Sequence, residues 1–140
     1  MSISENKKAK LARLAAEARE ASYSPYSGFA VGAALLTADG RVFTGANIEN
    51  ASYTPTICAE RVAFFKAVSA GVRDFAAIAI AGGRSGEDIS SCTPPCGVCR
   101  QVMAEFCSGD FEIILACDEG YVTKTLSELL PFGFDKENLT

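Results

Sequence analysis

Residues 74–82, DFAAIAIAG, and 111–117, FEIILAC, are apolar almost from end to end. Short apolar runs without alternation are buried on both faces, as strands of a parallel sheet are when helices cover each side. Between them, residues 95–107 fit a helix: proline suits a first helical turn, and Gly109 lies just past the end. Strand, helix and strand in that order imply a parallel pair joined by a right-handed crossover. The rest of the chain must then supply the covering layers.

The remaining segments fit that demand. Residues 6–21 place Leu11, Leu14, Ala15 and Ala18 on one helical stripe. SYSPYSG, 22–28, reads as a loop. Residues 29–37 and 41–47 read as two strands, and the Asp39-Gly40 pair between them favours a hairpin. NIENASYTPT, 47–56, is expected to be an irregular connection. A helix is expected from about Cys58 to Ala70, stopped by Gly71. Residues 121–126 suggest a short strand, followed by a short helix to Leu130. The expected fold is α/β, a three-layer α/β/α sandwich with a mixed five-stranded sheet. The first two strands should be antiparallel and the later ones parallel.

At 140 residues the chain is expected to form a single domain, residues 1–140. Its net charge of -4 is a poor match for a nucleic-acid partner. The lysines at 7, 8 and 10 read as a solvated helix face. No segment has the length of apolar sequence that a membrane span or a signal peptide needs, so a cytoplasmic protein without a membrane partner is expected. Six cysteines in that setting should be mostly reduced.

There is no histidine. Any metal must therefore be held by sulfur or oxygen, and Ser-His-Asp, Cys-His and HExxH chemistry is excluded. Two short motifs fill the gap. In PPCGVC, Cys96 and Cys99 lie three apart at a helix start, so both sulfurs share a face near the positive end of the helix dipole. In CAER, Cys58 stands at another helix start. Helices following neighbouring strands can aim their N-termini at one point, where three sulfurs would bind Zn2+ and leave its fourth position open. Such a site is catalytic, whereas four cysteines make a closed structural one. Cys92 leaves that second possibility open.

Glu60, two residues past Cys58, can then serve as a proton shuttle without binding the metal. Three thiolates and one Zn2+ leave a surplus negative charge, which the Arg61 guanidinium would offset. Taken singly, Cys58 reads as a core residue and Glu60-Arg61 as a solvated pair. Only the combination of C-A-E with P-C-x-x-C, separated by a helix and a strand, overturns that. The other cysteines, Cys92, Cys107 and Cys117, read as small buried apolar residues.

This combination is a Cys₃ form of the zinc nucleobase-deaminase signature. Across nearly its whole length the chain resembles the small homotetrameric cytidine deaminases. SPYSGFAVGAALL, GANIENASY, CAERVAFFKAVSAG, PPCGVCRQVMAEF and SELLPFGF carry the likeness. The resemblance implies hydrolysis of cytidine and 2′-deoxycytidine to uridine and 2′-deoxyuridine with release of ammonia, a step of pyrimidine salvage. It implies water activated on zinc attacking C4, with Glu60 moving protons. It places Asn47 and Glu49 at the sugar, Phe29 against the pyrimidine and the Ala59 N–H at the base carbonyl. It also implies a homotetramer whose sites are completed by neighbouring subunits. Phe134 would reach the base from the next chain, with Phe132 as a second aromatic nearby and Tyr53 at the same interface. A same-fold alternative is an enzyme acting on another aminopyrimidine compound; polynucleotide editing is disfavoured by the acidic charge.

Overall fold

The computed structural model describes residues 3–140. Five strands form one sheet: β1 (Phe29–Thr37), β2 (Val42–Ala46), β3 (Phe75–Arg84), β4 (Glu112–Cys117) and β5 (Gly120–Thr125), in the spatial order β2-β1-β3-β4-β5. The helices are α1 (Glu5–Ala18), α2 (Ala59–Ser69), α3 (Gly97–Phe106) and the short α4 (Leu126–Leu129). The apolar runs form the adjacent strands β3 and β4, and they pair in parallel.

Side chains alternate across the sheet. Ala33, Leu35, Ile78, Ile80, Ile113 and Leu115 face one side, where they pack with Ala63, Phe64 and Ala67 of α2 and Met103 of α3. Ala34, Leu36, Ala77, Ala79, Ala81, Ile114 and Ala116 face the other and receive Leu11 and Ala15 of α1. Alanines dominate this second face because they let a helix backbone lie close to the strands. Phe64 anchors the first face. It is fully buried, and its ring meets those of Phe75, Phe106 and Phe111 at centroid distances of 5.1, 6.2 and 6.2 Å. Burying one such side chain contributes about 1.5–3 kcal/mol.

Helix α2 lies hard against β2. A Cβ on Gly45 would stand 2.4 Å from the Ala59 carbonyl oxygen and 2.7 Å from the Ala63 nitrogen. Only glycine allows that approach, and it fixes where the first turn of α2 begins.

Three sequence expectations need correction. Strand β5 is antiparallel to β4 rather than parallel. It starts at Gly120, so only Asp118 and Glu119 separate the strands. Two residues can make a hairpin, whereas a parallel return needs a crossover of about a dozen or more.

Lys8 is not on a solvated face. It is 7% exposed, and its Nζ lies 3.3 Å from Glu112 Oε2 and 3.7 Å from Glu5 Oε2. Here α1 crosses the start of β4, and the lysine stem is covered while its charge is paired.

Cys92 and Cys117 are not free thiols; they form a disulfide, with Cα atoms 4.5 Å apart. Parallel β3 and β4 end at the same edge of the sheet, so the loop leaving β3 passes the end of β4. The bridge closes a sequence separation of 25, which corresponds to about 3.5 kcal/mol in the chain-entropy account. Cys92→Ser is therefore expected to lower denaturant stability in oxidised protein by roughly that amount, and to change it little under reducing conditions. Equal losses in both conditions, measured by urea unfolding, would refute the tether. The remaining thiol, Cys107, is half-buried against the core, and burial pushes it up to about 12.

Candidate metal and active site

Two helices begin with cysteine. Cys58 is the N-cap of α2, with φ -77° and ψ 155°, and Cys96 is the N-cap of α3, with φ -71° and ψ 169°. Neither side chain caps its own helix, although this position usually holds Ser, Thr, Asp or Asn for that purpose. Cys99 lies one turn into α3 and is 1% exposed. The sulfurs of Cys58, Cys96 and Cys99 all lie within 4.8 Å of one another, and the Cys58–Cys96 separation is 3.7 Å.

Those distances can be tested against a metal. Zinc binds sulfur at about 2.3 Å in a tetrahedron, which sets sulfurs about 3.8 Å apart. An all-sulfur set with no histidine in the chain suits zinc by ligand softness as well. The residues present fit the ion. Cys92, committed to Cys117, is not among them.

The surroundings are arranged around thiolate. The Arg61 Nη2 donates to Cys58 Sγ at 3.5 Å, while the buried Nε has no protein partner among the described residues. A hydrogen bond with Cys99, reinforced by Arg61 and Cys96, brings the Cys58 thiol down to about 5 against its burial. The Cys99 thiol, which donates that bond and is itself buried, is raised. Glu60, on the first turn of α2, is 3% exposed. Burial holds its carboxyl up, to about 7; the Cys58 charge adds to this, while Glu60's own backbone hydrogen bond and Arg61 oppose it. A carboxyl in that range can take and release a proton near neutrality.

The expected sugar and base residues form a second cluster, organised by Ile48. Its backbone pairs with Ile57 in both directions, at 3.0 and 2.9 Å. On the other side, Tyr23 N–H donates to Asn47 O at 3.0 Å and Glu49 N–H donates to Tyr23 O at 2.8 Å. The connection over 47–56 is irregular as expected, but Ile48 within it is held by isolated single-residue bridges to Tyr23 and to Ile57, the residue just before Cys58. It ties Asn47 and Glu49 to the start of α2. Period-two apolar patterning, the usual strand signal, is missing at single-residue bridges.

Asn47 is largely committed within the chain. Its Oδ1 accepts from Ser22 Oγ at 2.6 Å and Val31 N–H at 2.9 Å, and its Nδ2 donates to Phe29 O at 2.9 Å. An amide nitrogen has a second hydrogen to offer. The Phe29 ring lies over Gly82 of β3 beside Thr93. A Cβ on Gly82 would sit 3.0 Å from the Phe29 ring and 2.4 Å from Thr93 Oγ1, so both side chains close over this glycine.

Glu49 lines a cavity of about 330 Å³ with Tyr26, Ser27, Asn50, Tyr53 and Thr56. The three cysteines and Glu60 do not line it. Tyr53 is 74% exposed, with a φ of 47°. Phe134 is 58% exposed, and its carbonyl accepts from Gln101 Nε2 of α3 at 2.7 Å. Phe132 is wholly exposed. The single chain therefore brings together Cys58, Ala59, Glu60, Arg61, Cys96 and Cys99, and links Phe29 with Asn47. It leaves Tyr53 and Phe134 projecting outward.

Fold and corner together define a class: an α/β/α sandwich in which two helix starts present three cysteine sulfurs beside a buried carboxyl group. Comparison with known proteins narrows it. Residues 5–115 match the family model described as the cytidine and deoxycytidylate deaminase zinc-binding region. A cytidine deaminase of Sporosarcina psychrophila is 49% identical over 99% of this chain and 92% of its own length. One from Halalkalibacterium halodurans is 53% identical over 82% of this chain and 84% of its own. The solved cytidine deaminase of Burkholderia pseudomallei superposes with a TM-score of 0.81 at 42% identity, covering 94% of this chain and all of that one. The chain belongs to the cytidine and deoxycytidylate deaminase family and is an enzyme of that family.

Proposed function

We propose that the chain, folded as one domain over residues 1–140, is a zinc-dependent hydrolase that converts cytidine and 2′-deoxycytidine to uridine and 2′-deoxyuridine and releases ammonia. The observation that carries this reading is the three-cysteine corner beside buried Glu60, in a chain so similar to named cytidine deaminases. Cys58, Cys96 and Cys99 would hold the Zn2+. When bound, the metal supplies the Lewis acidity that makes a water nucleophilic near neutral pH.

The residues of this chain do the rest. Glu60 takes a proton from the attacking water, delivers it to N3 of the cytosine ring and then passes one to the departing amine. The Ala59 N–H, at the first position of α2, offers a donor to the base carbonyl, helped by the helix dipole. Phe29 packs on the pyrimidine. Asn47, with its remaining amide hydrogen, and Glu49, as acceptor, bind the sugar 3′-hydroxyl. Water adds across the N3=C4 bond of the ring, and cleavage of the exocyclic C4–N4 bond, with loss of the C4 hydroxyl proton, gives the carbonyl of uridine and one ammonia.

The working form is proposed to be a cytoplasmic homotetramer. The outward Tyr53, Phe132 and Phe134 support it, as does Val98, 57% exposed between two metal-corner cysteines. Phe134 of one subunit would stack on the base held by the next. No helix of the described residues is long and apolar enough to cross a membrane.

Arg61 offsets the surplus charge of three thiolates around one Zn2+. Arg61→Ala is expected to keep its zinc and to lower kcat by about 10-fold, the scale of changes behind metal ligands. Unchanged kcat in steady-state assays would remove this role. The substrate assignment is tested by ultraviolet assay on cytidine, 2′-deoxycytidine, cytosine and CMP. Both nucleosides should turn over, with cytosine and CMP far slower. Preference for the free base or the nucleotide would overturn it.

A further inference from the structure

Each oxygen of the Glu49 carboxylate is held by the loop before β1, and the two are held differently. Oε1 accepts two backbone N–H groups, from Tyr26 at 2.9 Å and Ser27 at 3.1 Å. Those donors are present whatever the side chains are. Oε2 accepts from the Ser27 hydroxyl. The same Ser27 Oγ accepts from Phe29 N–H at 3.0 Å.

The direction of this relay is not in doubt. A backbone N–H can only donate and an ionised carboxylate can only accept, so the serine proton must point at Glu49. Hydrogen bonding by Ser27, together with the two backbone donors, keeps the Glu49 carboxyl below its ordinary range. With Oε1 pinned alone, the carboxylate is free to swing about that atom; the Ser27 bond stops the swing. Phe29 begins β1, and its carbonyl is in turn held by Asn47 Nδ2. One hydroxyl therefore ties the backbone of Phe29 to the carboxylate of Glu49.

We propose that Ser27 is a positioning residue for sugar recognition: its hydroxyl orients the Glu49 carboxylate relative to Phe29, so that the nucleoside 3′-hydroxyl and the base are met at a fixed separation. The proposal rests on the reading that Glu49 binds that hydroxyl. Ser27 touches neither substrate nor metal, so its effect belongs in KM for substrates that carry the 3′-hydroxyl.

The test compares cytidine with 3′-deoxycytidine in the wild type, Ser27→Ala, Ser27→Thr, Glu49→Gln and the Ser27→Ala/Glu49→Gln pair. Ser27→Ala should raise KM for cytidine about tenfold, the scale of one charge-assisted hydrogen bond, with kcat within about twofold. For 3′-deoxycytidine its KM should match that of the wild type. Threonine keeps the hydroxyl at an exposed position and should restore the cytidine KM. In the pair, Ser27→Ala should add little to the effect of Glu49→Gln. Ser27→Cys keeps the shape with a much weaker donor; it should behave as alanine does, and it stands in if the alanine protein folds poorly.

An equal KM rise on both substrates, or threonine no better than alanine, would reduce Ser27 to a loop-forming role and overturn the proposal. A normal Ser27→Ala beside an impaired Glu49→Gln overturns the proposal alone. A Glu49→Gln protein that still handles the two substrates as the wild type does overturns the sugar reading, and the proposal with it.

Discussion

Glu60→Gln protein should carry as much zinc per chain as the wild type and turn over cytidine about 10²–10⁴-fold more slowly, the range that positioned acid–base groups contribute. The amide has nearly the shape of the carboxyl, so the first turn of α2 and the packing around it are preserved. What is lost is the capacity to carry a proton. Glu60 is 3% exposed at the start of α2, beside the Cys58 N-cap, and bulk water cannot easily replace it as a shuttle. Metal analysis together with kcat on cytidine separates the alternatives. Low activity with low zinc would make Glu60 a support for the metal; full activity with full zinc would remove it from the chemistry.

Cys99→Ala should have the second large effect, and for a different reason. Cys99 is one of the three cysteine sulfurs that the described residues bring to the corner, and it is also buried in the main core cluster. Changes behind metal ligands already cost about 10–100-fold in affinity or activity, so losing a ligand itself should exceed that range. After dialysis against a mild chelator the variant should hold almost no zinc and show no measurable deamination. Cys92→Ser is the internal control. It lies four residues before Cys96 in the same loop, but its sulfur is turned to Cys117. It should keep zinc and activity. Zinc loss in Cys92→Ser, or zinc kept in Cys99→Ala, would mean that the wrong cysteines have been assigned.

How far the sequence could be read depended on how local each signal was. The covered strands β3 and β4 were visible because burial on both faces leaves apolar runs. The helices α2 and α3 were visible because Gly71 and Gly109 mark their ends, Pro94-Pro95 stands just before one of them and Cys-Ala-Glu-Arg opens the other. Long-range contacts were not visible. The Cys92–Cys117 bridge depends on two parallel strands ending side by side, and nothing near Cys92 in sequence announces Cys117. Lys8 is covered because α1 happens to cross Glu112 of β4. The Ile48 bridges to Tyr23 and Ile57 are single pairings, too short for any periodicity. The direction of β5 was legible and was misread: even a start at residue 121 leaves only three residues after Cys117, too few for a parallel crossover.

The same limit applied to the sugar and base residues. NIEN marked Asn47 and Glu49 as polar groups with a purpose, but not that Ser22 and Ser27 hold them. Serines in a Ser-Tyr-Ser-Pro-Tyr-Ser-Gly loop read as turn formers. Their partners appear only once β1 and the 47–49 segment are brought together.

The central claim is that activity depends on a metal held by Cys58, Cys96 and Cys99. It is tested most directly by removing metal from the purified protein, adding Zn2+ back in substoichiometric steps, and recording the rate of cytidine loss at each step. The rate should start near zero, rise in proportion to bound zinc and level off at about one ion per chain, as one three-cysteine corner predicts. Deamination by metal-free protein, or a rate indifferent to the zinc returned, would contradict it.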